Sequence, residues 1–143
     1  MQSTPVQKAA RISAIVLAVL AVLGFIPGIT ADYDQLGITG NGPDAQLFGL
    51  LAISVLHNVL LLLFAALLLV SARRAGAAKV TFMALGLFNL LAALYGLINA
   101  RYESETWVPA GVSDNWFHLV LGAVLFFLGL LRGPVVIGRP RSG

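Results

Sequence analysis

The chain has 143 residues and no cysteine; 59% of its residues are hydrophobic and only 10% are charged. A soluble domain carries about a quarter charged residues. This composition excludes disulfide bonds, thiolate metal sites and cysteine nucleophiles, and it disfavours a soluble enzyme. The sequence therefore predicts a small, all-α integral membrane protein.

Four apolar segments are long enough to cross a bilayer, whose core of ~30 Å needs roughly 20 residues of helix. They are residues 12–29, 54–71, 80–100 and 114–131. The first follows two basic residues, as the apolar part of a signal peptide does, but no cleavage pattern leads from it into a soluble domain. We expect it to be retained as a helix, giving one four-helix domain with flexible tails at 1–7 and 133–143.

The segment before the second span predicts an additional element. Residues 30–42 are rich in Gly and Asp and predict an outer loop. A helix running from Pro43 to Val70 would be about 42 Å long, which is too long for one upright span. We therefore expect a short interfacial helix at about 43–52 and a new helix capped by Ser54. The second outer loop, 101–113, carries Trp107, a side chain that favours the interface.

The basic residues of the chain are distributed unevenly between the two predicted sides. Eight of them fall on one side: Lys8, Arg11, Arg73, Arg74, Lys79, Arg132, Arg139 and Arg141. Arg101 and every acidic residue fall on the other. Because basic residues are retained in the cytoplasm, both termini of this multi-pass protein are predicted to be cytoplasmic. The net charge of +3 then reflects orientation and contact with the lipid bilayer, and no nucleic acid is expected as a partner.

Two pairs of short motifs predict an internal repeat. Residues 56–60 (LHNVL) resemble 117–121 (FHLVL), and residues 23–27 (LGFIP) resemble 95–99 (YGLIN). Their order predicts two helical hairpins that both start in the cytoplasm, so the repeats are parallel and related by an axis along the membrane normal.

The repeat places its two histidines at one depth. His57 lies 16 residues before Arg73 and His118 lies 14 before Arg132, so both are ~21 to 24 Å from the cytoplasmic anchors. Small and polar residues recur at helical spacing on the last two spans: Gly86, Asn89, Ala93, Gly96 and Ala100 on the third, and Asn115, His118, Gly122 and Gly129 on the fourth. Such stripes let helices approach closely in lipid, so we expect them to face the bundle interior, with Asn89 joining helices or, alternatively, lining a substrate path.

Three motifs resemble those of a known family: 24–28 (GFIPG), 56–58 (LHN) and 114–119 (DNWFHL). The chain resembles domain of unknown function family 4383, which comprises small bacterial four-helix membrane proteins. The resemblance implies four spanning helices in the bacterial inner membrane and no assigned activity. Many members have Asn-Pro where this chain has Ile53 and Ser54, and a second histidine where it has Leu61. The second difference disfavours a histidine-pair site within the second helix.

Few residues within the predicted spans have side chains that can ionise or take part in catalysis. His57 and His118 are the ionisable residues within the spans, so a pump or proton-coupled transporter would lack carboxylate or lysine carriers. Ser54 and Ser113 have no evident acid and base to activate them. We therefore predict no catalytic residue, no metal site, no cofactor and no enzymatic activity.

The two histidines support a structural hypothesis and two chemical ones. In the structural one, His57 and His118 bind no cofactor and hydrogen-bond to loop backbone or to polar residues such as Asn58, Asn99 and Asn115. In the others they are axial ligands of a haem b, or serve a metal or a proton. The protein is predicted to be a structural or accessory subunit of a larger membrane complex, or a small homo-oligomer. The alternatives are a haem b-binding redox subunit and a small channel or carrier.

Overall fold

The computed structural model describes residues 3–39, 45–102 and 112–131. This part of the chain is mostly helical, and its four helices are α1 (Pro5–Leu23), α2 (Val55–Ser71), α3 (Ala75–Tyr102) and α4 (Val112–Gly129). Three short strands lie between α1 and α2, namely β1 (Thr30–Ala31), β2 (Ala45–Leu47) and β3 (Leu51–Ile53), and a single 3-10 turn spans Tyr33–Gln35. The predictions for Trp107, Arg132, Arg139, Arg141 and the tail 133–143 lie outside the described residues.

Helix α1 begins with a capping box. The Thr4 Oγ1 accepts a hydrogen bond from the Gln7 backbone N–H at 3.4 Å, and the Gln7 Oε1 accepts one from the Thr4 N–H at 3.0 Å. Pro5 occupies the first helical position, where its missing N–H is not needed. The Gln7 Nε2 also donates to the Ala72 carbonyl at 2.9 Å, so the start of α1 lies beside the turn between α2 and α3.

Helix α1 ends at Leu23, although the apolar segment was predicted to run to residue 29. The chain leaves the helix through a turn in which Pro27 has no N–H to donate and Gly28 adopts φ +89°. The Thr30 hydroxyl donates to the Gly24 carbonyl at 3.2 Å and so satisfies one of the last carbonyls near the helix end. The apolar composition continues past Leu23, but the regular hydrogen bonding of the helix gives way to turn hydrogen bonds, such as that from the Ile29 N–H to the Ile26 carbonyl at 3.2 Å.

The predicted interfacial helix at 43–52 is wrong. Within its described residues, β2 and β3 form an antiparallel hairpin in which Ala45 pairs with Ile53, and β1 adds to β2 with Thr30 opposite Leu47. At the hairpin tip Phe48 and Gly49 have φ +56° and +67°, values that a right-handed helix cannot contain. The alternation of buried Ala45 and Leu47 around Gln46 matches a strand.

The Ser54 cap is confirmed, because its Oγ accepts a hydrogen bond from the His57 backbone N–H at 3.1 Å. The turn from Ala72 to Arg74 then leads into α3, which begins at Ala75, ahead of the predicted start at residue 80. Helix α1 packs mainly against α2, and α3 mainly against α4. The described chain thus forms two helical hairpins, and their relation by repeat symmetry stays a prediction.

The two ends of the bundle differ. We call the end that carries the strands and the starts of α2 and α4 the sheet end, and the end that carries the α2–α3 turn the basic end. At the sheet end the strands pack on Leu20 and Leu23 of α1. The Asp114 Oδ1 accepts a hydrogen bond from the Ala52 N–H at 2.9 Å, which joins β3 to the start of α4. The strands therefore bridge the two hairpins.

The core between the helices combines alanines with a set of Leu and Phe side chains. Its fully or nearly fully buried members include Ala10, Ala14, Ala21, Ala65, Ala72, Ala78, Leu17, Leu68, Phe82 and Leu125. Between α3 and α4, Gly86 and Gly122 face each other, and a Cβ on either would lie under 3.0 Å from the backbone of the opposite helix. The expectation that the small-residue stripes face the interior is confirmed for Gly86, Asn89, Ala93 and Gly122.

Candidate functional site

The buried polar side chains are the candidates for a functional site. Among the described residues they are Thr30, Ser54, His57, Asn58, Ser71, Asn89, Asp114 and Asn115. A polar group removed from water must find a hydrogen-bond partner or cost free energy. The partners of each side chain therefore show which of them form a common site.

His57 of α2 and His118 of α4 meet inside the bundle. Their rings are stacked, with centroids 5.6 Å apart and planes inclined by 19°. The His57 side chain is buried and that of His118 is partly buried. Ring contact requires the two residues to lie at one level along the bundle, as their spacing from the basic residues predicted.

His118 is hydrogen-bonded to a residue that the sequence did not pair with it. Its Nδ1 lies 3.0 Å from the Oδ1 of Asn89 on α3, and the Nδ2 of Asn89 donates to the Leu85 carbonyl at 2.9 Å. The predicted partners of the histidines were loop backbone or polar residues such as Asn58, Asn99 and Asn115, and the partner of His118 is a polar residue that was not named among them. Asn89 joins α3 to α4, as expected of an interhelix hydrogen bond.

The other predicted polar residues lie apart from this pair. Asn58 is fully buried on the side of α2 that faces the end of α1, where a Cβ on Gly24 would lie 2.5 Å from its amide atoms. Neither amide atom of Asn58 has a hydrogen-bond partner within the part of the chain that the structure describes. Asn115 packs in the same way against Gly96. The exposed Asn99 Nδ2 donates to the Tyr95 carbonyl of its own helix at 2.8 Å.

A small cavity adjoins the histidines. It has a volume of about 50 Å³ and is lined by His57, Leu60, Leu61, Phe64, Phe88, Asn89, Ala92 and His118. Phe64 and Phe88 meet edge to face at its wall, with centroids 5.3 Å apart. Pockets for cofactor-sized ligands measure roughly 300 to 1,000 Å³, so the residues around this cavity do not fit a haem b between His57 and His118. Within the described ranges no cluster of three or more His, Asp or Glu side chains could hold a metal ion.

Comparison with protein families shows which family the chain belongs to. The family model Domain of unknown function (DUF4383) matches residues 7–131 of the chain. The chain belongs to the DUF4383 family. No curated protein and no solved structure matches it. Membership confirms the resemblance that the glycine, histidine and aromatic motifs indicated. It assigns no biochemical activity to the chain, because the family has no known function.

Two helices of this DUF4383 protein, Pro5–Leu23 and Ala75–Asn99, are long and apolar enough to cross a membrane. The apolar segments of the other two helices, Val55–Ser71 in α2 and Ser113–Gly129 in α4, are shorter than 18 residues. By length and composition alone, a buried core helix of a soluble protein or a signal sequence would pass the same test.

The sequence of this DUF4383 chain did not predict the structural roles of two buried polar residues. Thr30 is buried and closes the end of α1 through its hydroxyl, while Asp114 holds β3 through the Ala52 N–H. An acidic residue in the first turn of α4 is a recognisable helix-start signal for Asp114. Thr30 has no such signal, because its role depends on the turn through Pro27 and Gly28.

Proposed function

We propose that this DUF4383 protein is an integral membrane protein with four spanning helices and a non-catalytic role, as a structural or accessory subunit of a membrane complex or as a small homo-oligomer. The observation that carries the proposal is the inverted distribution of side chains. Many large apolar residues lie on the outside of the bundle, and the buried residues include many alanines, glycines and polar side chains beside a smaller set of Leu and Phe.

Helix α1 illustrates the inversion. Its buried residues are Val6, Ala10, Ala14, Leu17 and Ala21, whereas its exposed face is formed by Ile12, Ile15, Val16, Val19 and Val22. The most apolar stretch of α1 is only 28% buried and that of α3 only 33% buried. The core helix of a soluble protein would be mostly buried, and a soluble monomer rarely exposes so large an apolar surface. Lipid is the solvent that this surface favours.

The interior supports the same environment. In lipid, helices associate through close packing and hydrogen bonds because the surrounding acyl chains are as apolar as leucine. The Gly86–Gly122 contact and the hydrogen bond between Asn89 and His118 are interactions of these two kinds.

The charges favour one orientation. Five of the six lysines and arginines in the described ranges belong to the start of α1, the α2–α3 turn and the first turns of α3, namely Lys8, Arg11, Arg73, Arg74 and Lys79. The sixth, Arg101, lies in the last turn of α3, at the other end of that helix. The hydrogen bond from Gln7 to Ala72 holds the start of α1 beside that turn. The acids Asp32, Asp34 and Asp114 are at the sheet end. Retention of basic residues would place the basic end in the cytoplasm.

A non-catalytic role is favoured by the surroundings of the polar residues. The lining of the cavity contains no carboxylate or hydroxyl side chain in the part of the chain that the structure describes. Acid–base or nucleophilic chemistry needs a group activated by a neighbour within hydrogen-bond reach. The small cavity also disfavours a haem-binding redox subunit, and it offers no continuous polar route for a channel or carrier.

Labelling of single cysteines tests the membrane topology. The chain has no cysteine, so each introduced thiol is unique. We expect a membrane-impermeant maleimide to label Ile38→Cys on intact cells, because this residue is 77% exposed at the sheet end. Arg74→Cys should react only after permeabilisation, and Leu67→Cys, on the apolar face of α2, only after denaturation. Rapid labelling of Leu67→Cys in native membranes would contradict a spanning α2, and the reverse order at the two ends would contradict the orientation.

The mass of the native particle tests the assembly. The chain weighs 15.1 kDa. After gentle extraction from its own membrane, a homo-oligomer should migrate at a small multiple of that mass, and an accessory subunit should co-migrate with larger partners. A monomer both in the crude extract and after purification would contradict the assembly role while leaving the topology intact.

A further inference from the structure

The hydrogen bonds of Asn89 fix the orientation of its amide. The Leu85 carbonyl can only accept a hydrogen bond, so the amide atom 2.9 Å from it must be the donating Nδ2. The Oδ1 of Asn89 therefore faces His118, where it can only accept. It follows that the Nδ1 of His118 carries a proton and donates it to Asn89.

The second nitrogen of His118 is then left as an acceptor. A charged imidazolium here would be buried without an opposite charge, since no carboxylate is among the described residues that line the cavity. In a neutral imidazole with a protonated Nδ1, the Nε2 carries a lone pair and no proton. This nitrogen can accept a hydrogen bond, and the described residues supply no donor to it.

His57 has a complementary need. Its side chain is 93% buried, yet its imidazole makes no hydrogen bond to any other described residue. A neutral imidazole has one donor and one acceptor. The two rings stack but do not hydrogen-bond to each other, and both line the same cavity.

We propose that this cavity is a water-binding site in which one or two water molecules connect His57 to the Nε2 of His118. A water molecule needs roughly 10 to 15 Å³ of such space and two to four polar partners. The cavity offers about 50 Å³, two imidazoles and the remaining lone pair of the Asn89 oxygen. Three polar groups can satisfy the hydrogen bonds of one or two water molecules. The apolar side chains of Leu60, Leu61 and Phe64 provide no hydrogen-bond partner for additional water molecules.

The site would tie together helices that otherwise meet little. Helix α2 belongs to the first hairpin, and α3 and α4 form the second. Water between His57 and His118 makes one hydrogen-bonded chain from α2 through α4 to Asn89 of α3. The ligand class is a neutral molecule of the size of water that both donates and accepts, because a cation would remain uncompensated and a larger molecule would not fit.

Nitrogen-15 magnetic resonance can test each step. The chain has two histidines, so ¹⁵N-histidine labelling of the protein in phosphatidylcholine nanodiscs gives two sets of ring signals, and His57→Gln assigns them. We expect His118 with a protonated Nδ1 and an unprotonated Nε2, and transfer of magnetisation from water to both rings. A His118 ring protonated at Nε2, or rings that receive nothing from water, would overturn the proposal.

A cavity-filling variant supplies the matched control. Ala92→Leu adds apolar volume to the wall and leaves His57, Asn89 and His118 in place. We expect it to abolish most of the transfer from water while the protonated Nδ1 signal of His118 persists, which shows that the bundle is intact. If that signal is lost in Ala92→Leu, the variant Leu60→Phe replaces it in the experiment, because it fills the same cavity from α2. Undiminished transfer in a folded variant with a filled cavity would overturn the proposal, because the water would then lie elsewhere.

Discussion

Replacing Gly86 with alanine should separate α3 from α4. A Cβ at this position would lie 2.6 Å from the backbone nitrogen of Phe126 and 2.8 Å from the carbonyl oxygen of Gly122. Both are backbone atoms, which cannot rotate away as a side chain can. Ordinary contacts between non-bonded atoms are roughly 3.5 to 4.0 Å, so the helices must move apart by roughly 0.9 Å or more.

The expected magnitude follows from two opposing effects. Overpacking a well-packed site costs about 1 to 3 kcal/mol, and a clash with rigid backbone favours the upper end. Replacing a helical glycine by alanine recovers about 0.5 to 1 kcal/mol of backbone entropy. Gly86→Ala should therefore lower the free energy of unfolding by about 2 kcal/mol. Gly76→Ala is the control on the same helix, because nothing lies within 4 Å of its added Cβ, and it should be neutral or slightly stabilising.

Reversible unfolding in mixed micelles, followed by circular dichroism during a titration with sodium dodecyl sulfate, measures the difference. Gly122→Ala should cost a similar amount, and the double variant should cost less than the sum, since the first substitution has already separated the helices. If Gly86→Ala and Gly76→Ala change the free energy of unfolding equally, α3 and α4 do not approach as closely as described here.

Three further substitutions test the sheet end. Gly24→Ala should lower the free energy of unfolding by about 1 to 3 kcal/mol, because the added Cβ clashes with the Asn58 amide. In the same titration, the double variant with Asn58→Ala should recover part of that loss. A double variant that recovers none of it would contradict the contact between Gly24 and Asn58. Asp114→Ala should speed amide hydrogen exchange at Ala52 and leave the helix centres unchanged, whereas unchanged exchange at Ala52 would show that the carboxylate does not hold β3. Phe48→Gly should raise the free energy of unfolding by about 1 kcal/mol because φ +56° strains phenylalanine, and a loss of stability would mean that the ring contributes packing of greater value.

Local features of the sequence were sufficient to locate the helices. Long apolar runs marked all four, and Ser54 marked the start of α2 because its hydroxyl satisfies a backbone N–H that the helix leaves unpaired. The spacing of Gly86, Asn89 and Ala93 correctly indicated the buried face of α3. Such features depend on neighbours within one or two turns, which the sequence displays directly.

The strands and the partner of His118 depended on contacts distant in sequence. Strand β1 consists of two residues, and its pairing of Thr30 with Leu47 cannot be read from either segment alone. In the sequence, Asn89 lies 10 residues after Lys79, which would place it about 15 Å from the basic end. Because α3 begins at Ala75, Asn89 lies 14 residues from the start of the helix, or about 21 Å from the basic end. This distance falls within the ~21 to 24 Å predicted for His118. An error of one helical turn was enough to conceal the hydrogen bond.

The unequal lengths of the helices have a consequence for the lipid. Helices α1, α2 and α4 contain 19, 17 and 18 residues, so each extends about 26 to 29 Å, whereas α3 with 28 residues extends about 42 Å. In the proposed membrane arrangement, three of the four would thus be slightly short for a hydrocarbon layer of ~30 Å, and such hydrophobic mismatch costs a fraction of a kcal/mol per Å. Lipids with shorter acyl chains should therefore suit the bundle better than lipids with long ones, and bilayer thickness would influence where in a membrane the protein accumulates.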